Sequence, residues 1–197
     1  MDYYGYFSSD KDLPNDYTDK LTLYMIGKYK QYFSIFENRT NHTLRIVKGA
    51  ESEQIELSPS ASSNIRRFTK KEFEEDEMHL WLLEKLTDKI PADSTIVFKH
   101  IEALGRTAEY ALKAYKKIAE SGVQMRFVNI SPLNSEAFLT TGKKLDNNLI
   151  PLLTKQIELA LKEEEEKKEI KETLSSLPRK EKKELHLNSL DLNPENW

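Results

Sequence analysis

Apolar residues recur along this chain with two different periods, and the alternation between them predicts a mixed architecture. Thr95-Ile96-Val97-Phe98-Lys99-His100-Ile101 is a β-branched and aromatic run bounded by Pro91-Ala92-Asp93-Ser94, which reads as a buried strand. Thr107 is a suitable N-cap. After it, Ala108, Ala111, Leu112, Tyr115, Ile118 and Ala119 repeat at helical spacing, and Gly122 follows Ser121 where a left-handed cap belongs. Residues 123–130, Val-Gln-Met-Arg-Phe-Val-Asn-Ile, return as a second strand stopped by Ser131-Pro132. Strand, helix and strand in this order imply a crossover between parallel neighbours of one sheet.

The N-terminal part follows the same plan. Tyr3 to Phe7 forms a short aromatic run that predicts the first strand, and Tyr17, Leu21, Tyr24, Met25, Tyr29 and Tyr32 mark a helix face. Leu44–Val47 and Gln54–Leu57 read as strands, paired as a hairpin around Lys48-Gly49-Ala50. Phe73, Leu80, Trp81, Leu83, Leu86 and Ile90 give the next helix. Leu149, Leu152, Leu153, Ile157, Ala160 and Leu161 line a last long one. The expected fold is α/β, a three-layer domain with a mainly parallel central sheet. Composition shifts at Lys162, where a glutamate and lysine run begins, so residues 1–161 are read as the domain and 162–197 as a charged helical extension and polar tail. Glu163 with Lys167 and Glu164 with Lys168 have the favourable acid-before-base order four residues apart, so the simplest reading of Glu163 to Glu166 is a solvated helix face that Pro178 ends.

Composition removes several classes of chemistry. The chain has 197 residues and no cysteine, which excludes disulfides, thiol catalysis and cysteine-based metal sites. Its four histidines, His42, His79, His100 and His186, lack metal-ligand spacing, so no metal and no cofactor are expected. No stretch approaches the roughly 20 apolar residues of a membrane-spanning helix, and the first residues lack the basic-then-apolar order of a signal peptide. A cytoplasmic protein without membrane partners is the expectation. A formal net charge of -3 argues against coating nucleic acid by bulk positive charge and leaves room for a local basic patch. Neither a Walker loop nor a Gly-x-Gly-x-x-Gly turn is present.

In a parallel sheet the functional loops lie beyond the carboxyl ends of the strands. Three polar segments fall there in this reading: Ser8-Ser9-Asp10, the stretch from Ser58 to Arg67, and Glu102-Ala103-Leu104-Gly105-Arg106. Hydroxyls and guanidinium groups meeting at one edge suit a phosphate, to whose oxygens arginine donates in a planar fork. Each residue also has an ordinary structural reading. Serine after a strand is common turn chemistry, Gly105 permits a tight turn, and Glu102 bridges to a nearby arginine more readily than it acts as a base. Arg66-Arg67 beside Lys70-Lys71 is a solvated run as readily as a DNA-facing patch.

These segments resemble the serine recombinases, the resolvases and invertases. Tyr4-Gly5-Tyr6-Phe7-Ser8-Ser9 lines up with that family's Tyr-x-Arg-Val-Ser-Thr/Ser, which places Ser8 at the nucleophile. Glu102-Ala103-Leu104-Gly105-Arg106 resembles its Asp-Arg-Leu-Gly-Arg, again with a helix and a strand following, and Ser60-Ala61-Ser62-Ser63-Asn64-Ile65-Arg66 is similar to its serine and glycine-rich loop ending in arginine. The resemblance covers roughly residues 3 to 160. It implies a resolvase-like domain in which Ser8 attacks a DNA phosphodiester to form a phosphoserine link. Arg66 (or Arg67, if a gap intervenes) and Arg106 would stabilise the pentacoordinate phosphorus, Glu102 would stand in the same site, and Arg67, Lys70 and Lys71 would face DNA, with no metal. It also implies a homodimer through the last helix, whose Leu149, Leu152, Leu153 and Ile157 form an apolar stripe; packing of that stripe on its own sheet is the alternative. The chain departs from the pattern at Tyr6 and Ala103, where the family has arginines, and at Glu102, where it has aspartate, which implies impaired strand transfer. The reading from a different class is a non-catalytic oligomerising or regulatory module on the same fold.

Overall fold

The computed structural model describes residues 2–9, 20–38, 43–47, 75–141 and 144–176. Strands β1 (Tyr3–Ser9), β2 (Phe33–Asn38), β3 (Thr43–Val47), β4 (Thr95–Phe98) and β5 (Gln124–Phe127) form one sheet in the order β3-β2-β1-β4-β5. All pairs are parallel except β2 with β3, an antiparallel edge. The helices are α1 (Lys20–Lys28), α2 (Glu75–Thr87), α3 (Ala108–Glu120) and α4 (Ile150–Ser176). The fold is therefore mixed α/β with a mostly parallel sheet and a long last helix, and among the described residues no helix is long and apolar enough to cross a membrane.

Strand periodicity divides the apolar residues between the two faces of the sheet. Tyr4, Tyr6, Ile35, Ile96, Phe98, Met125 and Phe127 join the larger core with Leu82, Leu83 and Leu86 of α2, Ala111, Tyr115 and Ile118 of α3, and Leu153, Ile157 and Ala160 of α4. Val97 joins Leu21, Met25 and Tyr29 in a smaller cluster under α1, where the Tyr3 and Tyr29 rings stack at 3.9 Å. Aromatics at helical and strand spacing thus serve packing, and α1 lies on the face opposite α2, α3 and α4. Burial pushes the Tyr115 phenol above its ordinary range, and its hydroxyl donates to the Leu133 carbonyl at 3.1 Å.

The crossover through α3 forms as its residues predict, except that the second strand runs only over Gln124–Phe127, short of the expected 123–130. Thr107 accepts from the Tyr110 amide, and Gly122 sits at φ 82° past the helix end, a conformation costly for any residue with a Cβ. Beyond Phe98 the chain leaves the sheet, so Ile101 belongs to a 3-10 turn, Ile101–Ala103, and not to the strand. Gly105 has a different reason to be glycine than a left-handed turn. A Cβ there would stand 2.7 Å from the Ala111 amide nitrogen, so its lack of a side chain lets the turn close against the start of α3.

The N-terminal half corrects the expected elements. The helix face read as far as Tyr32 ends at Lys28, and Phe33–Asn38 is a strand. The strand at Thr43–Val47 pairs with this β2, and the expected partner Gln54–Leu57 lies outside the described residues. In α2 the core-facing stripe is His79, Leu82, Leu83 and Leu86, with Leu80 and Trp81 only partly buried, a rotation of the stripe read from sequence.

Candidate functional site

β1 is the central strand from which the chain works outward in both directions. The connection after it runs through α1 on one face of the sheet, and the connection after its parallel neighbour β4 runs through α3 on the other. Where adjacent strands send their connections to opposite faces, a crevice opens beyond their carboxyl ends, the usual ligand position in such sheets. Ser8 stands at the end of β1, and the segment from Ile101 to Arg106 follows β4. Two of the expected segments therefore share one edge.

Side chains at that edge form a continuous hydrogen-bonded chain. Ser8 is exposed, and its hydroxyl donates to Glu37 Oε2 at 2.7 Å. Glu37 lies directly opposite on β2, where the register pairs Ser8 with Glu37, and it is only 2% exposed. Its Oε1 is 2.5 Å from His79 Nδ1, and His79 Nε2 is 2.8 Å from the carbonyl oxygen of Ala103. A carbonyl only accepts, so Nε2 carries a hydrogen, and the hydrogen bond between Nδ1 and Oε1 holds one proton. The pair is neutral as a unit, whether written as imidazolium with carboxylate or as imidazole with carboxylic acid. Burial of both groups is tolerable only because they are paired.

α4 closes the other side of the turn. Glu164 accepts from the amides of Ile101 at 2.9 Å and Glu102 at 3.1 Å, and its Oε1 is 3.4 Å from His100 Nδ1. Lys168, one helical turn on, pairs with the Glu102 carboxylate. Glu164 and Lys168 are thus docked to the turn, which corrects the reading of Glu163 to Glu166 as a wholly solvated face, and Glu102 forms an ion pair with a lysine. Arg106 is exposed on the turn between Gly105 and the Thr107 cap. On β5, farther along the sheet, Glu136 bonds Arg126 at 2.5 Å and holds its guanidinium above the ordinary range.

The expected site residues therefore fall into two groups. Ser8, Glu102 and Arg106 lie at the same sheet edge, while Arg66, Arg67, Lys70 and Lys71 lie outside the described residues. Glu37 and His79 are site residues that sequence reasoning does not single out; the available signals are a glutamate in the inward alternation of Phe33 and Ile35 and a histidine in the inward stripe of α2. Among the described residues no cluster of three potential ligands could hold a metal ion. The apolar stripe assigned to a dimer packs within its own chain: Leu153 and Ile157 are fully buried, whereas Leu152 is 50% exposed. Comparison with family models, with curated proteins and with solved structures finds no match for this chain.

Proposed function

We propose that this chain is a serine-recombinase-like protein of a mobile element, in which Ser8 attacks a DNA phosphodiester, forms a phosphoserine-linked strand and then reverses the step to rejoin it. The observation that carries the reading is the placement of Ser8. Its exposed hydroxyl stands at the switch point of the sheet and donates to the buried carboxylate of Glu37 at 2.7 Å, with Arg106 on the turn after the neighbouring strand. A nucleophile at this edge meets a phosphate that Arg106 approaches from the adjacent loop. In this reading residues 1–161 are the resolvase-like catalytic unit, residues 162–197 the extension, and DNA the partner.

The two positions where the family has arginines set the expected rate. Tyr6 and Ala103 face the core, at 2% and 7% exposure, so neither position offers a cation to the phosphate. Loss of one preorganised donor lowers turnover roughly 10²–10³-fold, and strand transfer is correspondingly slow. The test is covalent trapping. Full-length protein is incubated with supercoiled plasmid and with a pool of short duplexes of randomised sequence, and adducts are sought on denaturing gels and by mass spectrometry. A nucleotide-linked peptide at Ser8, absent in Ser8→Ala, is the expected result; wild type and Ser8→Ala behaving alike on DNA that both bind overturns the proposal.

A further inference from the structure

We infer that Glu37 is the general base of Ser8 and that His79 is the positioning residue that makes this base work, an inference resting on the reading of Ser8 as a nucleophile. The geometry has the order serine, carboxylate, imidazole, backbone carbonyl. Ser8 Oγ donates to Glu37 Oε2 at 2.7 Å, within the reach a proton transfer requires, and the hydroxyl belongs to an exposed residue. Glu37 cannot turn away, because its other oxygen is tied to His79 Nδ1 at 2.5 Å. His79 in turn is fixed by the bond from Nε2 to the Ala103 carbonyl at 2.8 Å, inside the turn that leads to Arg106. The base is thus held in register with the nucleophile by one strand pairing and with the loop after β4 by one imidazole.

Proton accounting gives the relay a preference for the transition state. Before attack one proton lies between Glu37 and His79 in addition to the hydrogen on Nε2, and the pair carries no net charge. As the bond from Ser8 Oγ to phosphorus forms and the bond from phosphorus to the leaving oxygen breaks, the hydroxyl proton passes to Glu37 Oε2. The leaving oxygen takes a proton from water, and Glu37 later returns its own to solvent. During the transfer the pair gains one more proton and is a cation, while the phosphorus centre gains negative charge. The relay becomes positive only when that charge develops, and differential stabilisation of this kind raises turnover.

The test uses a phosphorus electrophile that needs no DNA. Full-length protein reacts with an alkyl fluorophosphonate, which loses fluoride, and modified serines are mapped by peptide mass spectrometry. Ser8 is expected to label at least about 10²-fold faster than any other serine of the same chain, as a general base of ordinary strength predicts. That internal comparison needs no variant; a Ser8 no faster than the other serines overturns the inference. Glu37→Gln, which keeps size and an acceptor, is expected to slow Ser8 labelling about 10²-fold, and His79→Gln to lower the limiting rate with the probe's half-saturating concentration unchanged. Equal labelling of Glu37→Gln and wild type overturns the base, and a change confined to half-saturation overturns the positioning role. Fast labelling without a DNA adduct retains the relay and discards the DNA reading. A DNA adduct formed equally by Glu37→Gln does the reverse.

Discussion

Two glycines of this chain make opposite predictions for the same substitution. Gly105 closes the turn between the 3-10 segment and α3, and a Cβ there would lie 2.7 Å from the Ala111 nitrogen, 3.0 Å from the Tyr110 carbonyl carbon and 3.0 Å from Tyr110 Cβ. Two of the three obstacles are backbone atoms of a helix, which no rotamer change removes, so turn and helix must separate. Overpacking of this kind costs about 1–3 kcal/mol, and the reduced freedom of the unfolded chain returns about 0.4–1 kcal/mol. Gly105→Ala is therefore expected to destabilise by about 1–2 kcal/mol. For a chain of this size each kcal/mol lowers Tm by about 2–4 °C, so the loss is about 2–8 °C. Gly27 lies in the last turn of α1, where an added Cβ would meet nothing within 4 Å, and Gly27→Ala is expected to raise stability by about 0.5 kcal/mol. Thermal unfolding of the three proteins by circular dichroism at one pH and salt concentration measures both. Gly105→Ala melting at or above wild type would refute the close approach of the turn to α3.

Three further outcomes test other parts of the structure. Leu153→Ala should cost about 2–5 kcal/mol at every protein concentration, because Leu153 is fully buried in its own chain, whereas Leu152→Ala at a half-exposed position should cost well under that; chemical denaturation at two concentrations distinguishes a core loss from a dimer loss. Glu164→Ala removes the acceptor of two amides and is expected to destabilise by about 2–3 kcal/mol and to speed hydrogen exchange at Ile101 and Glu102, while unchanged exchange there would rule out the docking of α4. Replacing Glu37 and His79 together by methionine and leucine should leave stability within about 2 kcal/mol of wild type, while either replacement alone strands a buried partner and costs about 3–5 kcal/mol, so a double-mutant cycle followed by denaturant unfolding reads the coupling directly.

Local signals are legible in the sequence where they also decide the structure. The crossover from β4 through α3 to β5 is a contiguous stretch with its own cap, period and left-handed glycine, so each part can be read within a few residues. β2 escapes such a reading because Tyr29 and Tyr32 continue an aromatic spacing that a helix face shares. Only pairing with β1 turns Phe33, Ile35 and Glu37 into the inward set of a strand. The candidate site suffers most from that ambiguity. Ser8 and Arg106 are reachable through motif and strand-end logic, but Glu37 becomes visible only with β2 in register and His79 only with the inward stripe of α2 fixed. These two residues are 42 positions apart in sequence and meet only in the folded chain.

Glu37 and His79 also bear on the two arginines of the resembled pattern that this chain replaces by Tyr6 and Ala103. Ala103 contributes a backbone carbonyl to the core side of the turn in place of a cationic side chain, and His79 reaches that carbonyl from α2. On this core side of Ser8 the cation that develops is thus the protonated pair of Glu37 and His79, and it develops in step with proton transfer. An arginine is charged before substrate arrives and attracts phosphate in the ground state; the relay is neutral until the nucleophile moves. Weak binding of the phosphodiester combined with a competent nucleophile is the kinetic consequence the proposal predicts, and it sets apart a site rebuilt around a carboxylate from one that has lost its chemistry. A fast fluorophosphonate reaction at Ser8 beside a slow, poorly saturating reaction on DNA would carry that signature, since the small neutral probe needs the base but not the missing charges.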